Sequence, residues 1–151
     1  MSEEMSLVFQ ECESDQEIKD IYNFNVHAFA DTQDFEWNEE NIKNEIGQGW
    51  KVLSVSFEKN IVAAVLLKIE DKTLYTKNTP IKIDYQGNGF SHLIKDFFEQ
   101  FAEGKNIETI INYCPDDNFR MISLNEGHKY TKTGKVLGEH LNIIEWQKSL
   151  F

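Results

Sequence analysis

The chain has little of what divides or staples a protein. Only two of its 151 residues are cysteine and two are proline. Cys12 and Cys114 stand far apart and match no metal or redox spacing, so no metal site is expected. Two buried free thiols are the better reading, with a disulfide left open. There is no Pro/Gly-rich linker, internal repeat or low-complexity stretch, which implies a single domain over residues 1–151. No apolar run approaches the roughly 20 residues that cross a bilayer. The start, Met1-Ser2-Glu3-Glu4, is acidic where a secretory signal would be basic and then apolar. A soluble, cytoplasmic protein with no membrane partner is expected. Basic residues are scarce as well: 15 Lys and Arg face 26 Asp and Glu, a formal charge of −11. Such a field repels a phosphate backbone and argues against nucleic acid as a partner. It attracts a cationic substrate such as an amine, and it equally describes an ordinary acidic surface.

What is present is ample apolar material, 40% of the chain with 11 Phe, enough for one continuous core. Leu7-Val8-Phe9-Gln10 reads as a short strand. Ser14 with Glu17 three residues on is a capping-box start for a helix whose stripe is Ile18, Ile21, Tyr22, Asn25 and Phe29. Asn38, followed by Glu39 and Glu40, caps a second helix that Gly47 and Gly49 close. Val52, Val55 and Phe57 begin a strand, and Glu58-Lys59-Asn60 turns it into another. That next strand, Ile61 to Glu70, is almost continuously apolar, as for burial on both faces. Asp71-Lys72 leads to an extended segment, Thr73 to Ile83. Phe90, Leu93, Ile94, Phe97, Phe98 and Phe101 then repeat at helical spacing up to Gly104. Thr109 to Tyr113 reads as a strand, Asp116 or Asp117 caps a helix with Met121, Ile122 and Leu124, and Lys129–Val136 and His140–Trp146 close the chain as a strand pair. The order is β-α-α-β-β-β-α-β-α-β-β, an α+β or mixed α/β class, with a strand-helix-strand unit over residues 73–113.

Gln86-Gly87-Asn88-Gly89-Phe90-Ser91 is the informative segment. Asn-Gly is a hairpin signal, but the residues after Gly89 repeat at three and four instead of alternating. The chain therefore runs strand, glycine turn, helix. Two glycines let backbone approach a ligand closely, and the first turn of a helix leaves N–H groups without partners. With the helix dipole these suit a phosphate or pyrophosphate. A Walker loop would need Gly-Lys-Ser/Thr, and the dinucleotide fingerprint would need a glycine where His92 stands.

Gln86-x-x-Gly89-x-Ser91 resembles the Gln/Arg-x-x-Gly-x-Gly/Ala signature of the GCN5-related N-acetyltransferases, with Ser91 in the last small position. Thr79-Pro80-Ile81-Lys82-Ile83-Asp84-Tyr85 is similar to the strand that leads into it. Asn118-Phe119-Arg120-Met121-Ile122-Ser123-Leu124-Asn125, ending in Tyr130, resembles the family's second segment, in which an Asn begins a helix and an aromatic opens the next strand. The resemblance implies a central, mostly antiparallel sheet with helices on both faces, and acetyl-CoA as the cofactor. Backbone amides of the turn, with Gln86, Gly87, Asn88, Gly89, Phe90 and Ser91, would hold the CoA pyrophosphate. The main chain of Ile81 and Ile83 would pair with the pantetheine arm, and Asn118 would contact the cofactor.

The activity so implied is transfer of acetyl from acetyl-CoA to a primary amine of a small molecule or peptide, by direct attack in a ternary complex. Proximity supplies much of the rate, backbone N–H groups steady the developing oxyanion, and a base takes the amine proton. The chain departs from the family at the acid, usually a Tyr, where Asn125 stands; Asn can hydrogen-bond the sulfur or the carbonyl but gives no proton. A strand glutamate common in relatives is missing from Thr73-Leu74-Tyr75-Thr76-Lys77, and Lys129 replaces the glycine before the closing aromatic. Tyr75 is either a proton-handling group or an aromatic wall, and Cys114 reads as a buried thiol before a nucleophile. The acceptor side would be lined by the first two helices, their connection Phe29 to Trp37 and the final strand pair. The connection, with Phe29, Asp34 and Trp37, forms an amine pocket or a solvated loop, and His27 and His140 are in reach of it. A non-catalytic acyl-CoA-binding or sensing module, or an interaction protein on the same fold, is the alternative. Relatives often pair their last strands between subunits, so a homodimer is open.

Overall fold

The computed structural model describes residues 6–24, 39–78, 89–117, 119–137 and 141–150. The elements follow in the expected order. Strand β1 (Val8–Glu11) is followed by helices α1 (Asp15–Phe24) and α2 (Glu39–Gly47). Strands β2 (Lys51–Phe57), β3 (Asn60–Glu70) and β4 (Thr73–Asn78) come next, then helix α3 (Phe90–Ala102) and strand β5 (Thr109–Pro115). Helix α4 (Phe119–Gly127) and strands β6 (Thr131–Leu137) and β7 (Ile143–Ser149) complete the chain.

Local chemistry accounts for most of the joints. Ser14 Oγ accepts from the Glu17 amide at 3.2 Å and the Glu17 carboxylate accepts from the Ser14 amide at 3.1 Å, the reciprocal capping box of α1. Glu58 and Lys59 both take positive φ, 49° and 71°, as a two-residue hairpin with the twist of its strands requires. The last strands begin later than Lys129 and His140. Lys129 has φ 71°, which breaks an extended run before Thr131, and β7 starts at Ile143 because that residue pairs with Pro115, the end of β5. That pairing also carries β5 beyond Tyr113.

One seven-stranded sheet runs β1-β2-β3-β4-β5-β7-β6. Its neighbours are antiparallel except β4 and β5, which are parallel and need a crossover, supplied by α3. Strand β3 is the spine: Val62 to Leu67 are all at most 1% exposed. Its Ala64 and Leu66 pack with Val52 against Ile18, Ile21 and Ile42 of α1 and α2. Its Ala63, Val65 and Leu67 pack with Leu53 and Val55 against Phe90, Ile94 and Phe98 of α3, with Met121 and Ile122 of α4 alongside. The fold is thus α+β, with helices on both faces. Each fully buried Leu or Phe in it is worth roughly 1.5–3 kcal/mol over leaving it exposed. Cys12 and Cys114 are both buried and neither is in a disulfide. No helix among the described residues is long and apolar enough to cross a membrane.

Candidate functional site

The sheet parts at one place. Strands β4 and β5 pair from Thr73 with Thr109 only as far as Thr76 with Asn112. Beyond that rung β4 runs on to Asn78 against β3, and β5 runs on to Pro115 against β7. Each strand keeps its outer neighbour while the two cease to pair with each other.

The rung that ends the ladder is polar and buried. Thr76 and Asn112 are both 0% exposed. The Thr76 hydroxyl donates to the Ile111 carbonyl at 2.7 Å and accepts from Asn112 Nδ2 at 3.2 Å. Asn125 of α4, also fully buried, donates from Nδ2 to Asn112 Oδ1 at 3.4 Å, and the Tyr130 amide donates to the Asn125 carbonyl at 2.9 Å. This chain of amides and hydroxyl ties α4 to the point where the strands separate.

Around it lie buried polar atoms without a hydrogen-bond partner. Among the described residues these are Lys95 Nζ, Asn125 Oδ1, Tyr130 OH and Trp146 Nε1, with Asn142 Oδ1 the one placed elsewhere in sequence, before β7. Trp146 stands opposite Asn112 in the β5–β7 register, so both share the face covered by α3 and α4. Each such orphan costs about 1–3 kcal/mol, which a polar ligand entering the gap would offset. Lys95 Nζ sits 4.1 Å from the centre of the Tyr130 ring. Burial lowers the Lys95 pKa to about 7, and burial raises the Cys114 thiol to about 12 and the Tyr130 phenol well above its ordinary value.

The start of α3 supplies the second part. Gly89 is its N-cap, with φ 79° and ψ 11°, a left-handed conformation with no capping side chain. The amides of His92 and Leu93 turn back onto the Gly89 carbonyl. Phe90 is 2% exposed and packs on Phe57, which anchors this end of the helix in the core. His92 Nδ1 and His128 Nε2 share a hydrogen bond of 2.8 Å that fastens the end of α4 to the first turn of α3; burial and the facing His92 lower the His128 pKa.

Of the expected site residues, Gly89, Phe90 and Ser91 therefore lie at the α3 start and Asn125 lies beneath the parting strands. Tyr75 is half-buried on the opposite face, packed against the α1–α2 cluster. There it shares the face of Tyr113 and Glu145, which stand opposite each other in register. Burial and then Glu145 raise the Tyr113 pKa, and Thr133 Oγ1 donates to Glu145 at 3.1 Å. Ile81, Ile83, Gln86, Gly87, Asn88, Asn118, His27, Phe29, Asp34 and Trp37, and His140 with them, lie outside the described residues. Sequence reasoning passed over Thr76, Lys95 and Asn112. A signal existed for two of them: Lys95 stands three residues before Phe98 and seven before Ala102 on the inward side of α3, and Asn112 alternates with Ile110 and Cys114.

No family model matches the chain, and no curated protein matches it in sequence. Solved structures do. The ribosomal-protein-S18-alanine N-acetyltransferase of Escherichia coli superposes with a TM-score of 0.77 at 14% identity, over 96% of this chain and 94% of that one. A variant of the spermidine N-acetyltransferase of Vibrio cholerae gives 0.74 at 16% identity, over 95% and 93%. The PaiA N-acetyltransferase of Thermoplasma acidophilum, in complex with coenzyme A, gives 0.72 at 13% identity, over 96% and 99%. At these identities the likeness is one of fold, and it agrees with the signature around Gly89: the chain has the GCN5-related N-acetyltransferase fold.

Proposed function

We propose that the protein is an acetyl-CoA-dependent N-acetyltransferase acting on a primary amine of a small molecule or a peptide. The observation that carries this reading is the parting of β4 and β5 beyond Thr76 and Asn112, directly over a cluster of orphaned buried polar atoms. A gap between two parallel strands suits a slender, amide-bearing chain that pairs like an extra strand, which is the chemistry of the pantetheine arm. The left-handed Gly89 at the start of α3 suits the pyrophosphate. Gln86 to Ser91 and Asn118 would hold the cofactor's phosphate end, and Ile81 and Ile83 its arm. Acetyl-CoA supplies an activated carbonyl, and the protein's part is to place a neutral amine against it and manage two protons. The acceptor would enter from the face of Tyr75, Tyr113 and Glu145, with His27, Phe29, Asp34 and Trp37 as its further contacts. A net charge of −11 favours a cationic acceptor. Coenzyme A in the Thermoplasma acidophilum neighbour, and the alanine and spermidine named for the other two, support the same cofactor and acceptor classes.

Thermal unfolding with and without acetyl-CoA tests this. Ligand at 100 times its Kd adds about 2.7 kcal/mol of stability, a rise of roughly 5–15 °C for a domain of this size. The rise is expected with acetyl-CoA and CoA and not with ATP or NAD; no rise at saturation would remove the transferase reading. A second reading, a site that binds acyl-CoA without turning it over, is favoured by one observation. Asn125, where relatives carry the acid, has its amide committed to Asn112. Binding without turnover across a broad panel of amines would establish it.

A further inference from the structure

Lys95 is where the interior departs furthest from what folding alone requires. Its side chain is 1% exposed and its Nζ donates no hydrogen bond. Its Nζ lies 4.1 Å from the centre of the Tyr130 ring and 5.9 Å from that of Phe98. A leucine or methionine would fill such a position with no charge to bury. The groups that face it do not neutralise it. Glu99, one turn along α3, is engaged with Lys148 of β7, which itself disfavours the Lys95 ammonium. Cys114 comes from β5 as an unionised thiol, and among the described residues the Tyr130 phenol and His128 also face Lys95. The place is equally specific. Cys114 lies two residues past Asn112, on the stretch of β5 that β4 has left, and Tyr130 is bonded through its amide to Asn125. The uncompensated cation therefore lies against the lip of the gap.

We propose that Lys95 is the acid of the acetyl transfer, its ammonium giving a proton to the coenzyme A sulfur as the thioester breaks. The inference rests on the N-acetyltransferase reading and names the group that reading lacks. The neutral amine of the acceptor forms the new N–C bond, the C–S bond breaks, and the sulfur keeps the electron pair and takes the proton from Lys95 Nζ. The proton released by the amine passes to solvent, which reprotonates Lys95 before the next turnover. Asn125 cannot serve, because a carboxamide holds no proton to give at neutral pH. Lys95, with its pKa lowered to about 7 by burial, both carries a proton at neutral pH and releases it readily.

A test that needs no acceptor follows the thiol of bound coenzyme A by its ultraviolet thiolate absorbance from pH 6 to 10, as a difference from the protein alone. Thiolate and ammonium side by side titrate as a pair, the thiolate holding the proton on Lys95 as it forms. The thiol's midpoint should therefore fall by about one pH unit or more relative to free coenzyme A. Lys95→Met, close in length and apolar, should return the midpoint to the free value or above it, with Lys95→Leu as a second variant. Acetyl-CoA, which has no free thiol, is the reference that shows the cofactor site is formed in each protein. An undisplaced midpoint in the wild type, or the same displacement in the variants, would overturn the role of Lys95 and leave the transferase reading standing. Failure of the wild type to bind either acetyl-CoA or coenzyme A would overturn both.

Discussion

The β2–β3 pair and the β4–β5 pair are adjacent in one sheet and built on opposite principles. Strand β3 buries six successive residues, all apolar, and pairs from Asn60 to Leu67 with the whole length of β2. Strands β4 and β5 pair over a short ladder and then separate. Of the buried polar residues among those described, only Ser54 belongs to the first pair, whereas Thr76, Lys95, Asn112, Asn125 and Glu145 lie on or against the second. A close-packed apolar sheet needs nothing from outside. A gap with orphaned donors and acceptors beside it would be completed by a polar ligand. The fold keeps its stability on one side and its unfinished chemistry on the other.

The division can be broken most forcefully at Leu66. It is 0% exposed within the α1–α2 cluster, and Leu66→Ala should cost about 2–5 kcal/mol through lost burial and the cavity left behind. Urea unfolding would measure the loss. The rise in Tm with acetyl-CoA should persist because the Leu66 side chain packs in the α1–α2 cluster, on the opposite face of the sheet from the orphaned polar atoms beside α3 and α4. A variant that kept its stability but lost the ligand response would show that the two regions are not separable.

Lys95→Met should act in the other direction, raising stability by about 1–4 kcal/mol near pH 6.5 by removing an unpaired buried charge. Its pH dependence carries a definite sign. Burial lowers the folded-state pKa from 10.5 to about 7, so between those values the unfolded chain binds more protons than the native one. Wild-type stability should therefore climb as pH rises above 7, and the advantage of the Met variant should shrink by pH 9. A constant difference across that window would mean that Lys95 keeps an ordinary pKa.

What could be read in advance follows the same line. Element order and the double burial of β3 were legible, because apolar periodicity and a run such as Ile61–Leu67 report backbone state and burial directly. The turn at Gly89 was legible because a glycine between a strand and a phenylalanine-rich helix has few uses. The parting of β4 from β5 was not. Nothing in Thr73–Asn78 or Thr109–Pro115 encodes where a parallel ladder stops, since that depends on which outer strand each keeps. Lys95 was hidden for a related reason: a lysine on a helix is normally solvated, and only the arrival of Tyr130 and Cys114 from distant elements buries this one. The placement of Tyr75 and Asn125 on opposite faces likewise follows from strand pairing and not from their neighbours in sequence.

A smaller effect is expected at the rung itself. Thr76→Val keeps the shape of the side chain but removes the hydroxyl that donates to the Ile111 carbonyl and accepts from Asn112. The loss should be about 1–3 kcal/mol. Because Asn112 then no longer anchors Asn125 as firmly, the acetyl-CoA-dependent rise in Tm should shrink as well, unlike the outcome at Leu66. A fall in stability with an unchanged ligand response would place the rung outside the site.

The smallest pair of effects has opposite signs. Gly89 and Lys129 both adopt left-handed backbone, with φ of 79° and 71°, but only the first is glycine. A Cβ added at Gly89 would meet nothing within 4 Å, so the penalty of Gly89→Ala is conformational alone, about 1–2 kcal/mol. Lys129→Gly should relieve the same strain. The extra freedom that glycine gives the unfolded chain, roughly 0.5–1 kcal/mol, leaves a net gain of about 0.5–1 kcal/mol. The functional consequences should diverge further than the energies. Gly89→Ala alters the backbone that would face a pyrophosphate and should weaken the acetyl-CoA response. Lys129 stands just past the C-terminal end of α4, exposed, and is no part of the turn at the α3 start, so its replacement should leave that response intact. If both variants lost stability and neither changed ligand binding, left-handed backbone at Gly89 would be a matter of chain reversal only, and the anion site would have to be sought elsewhere along the gap.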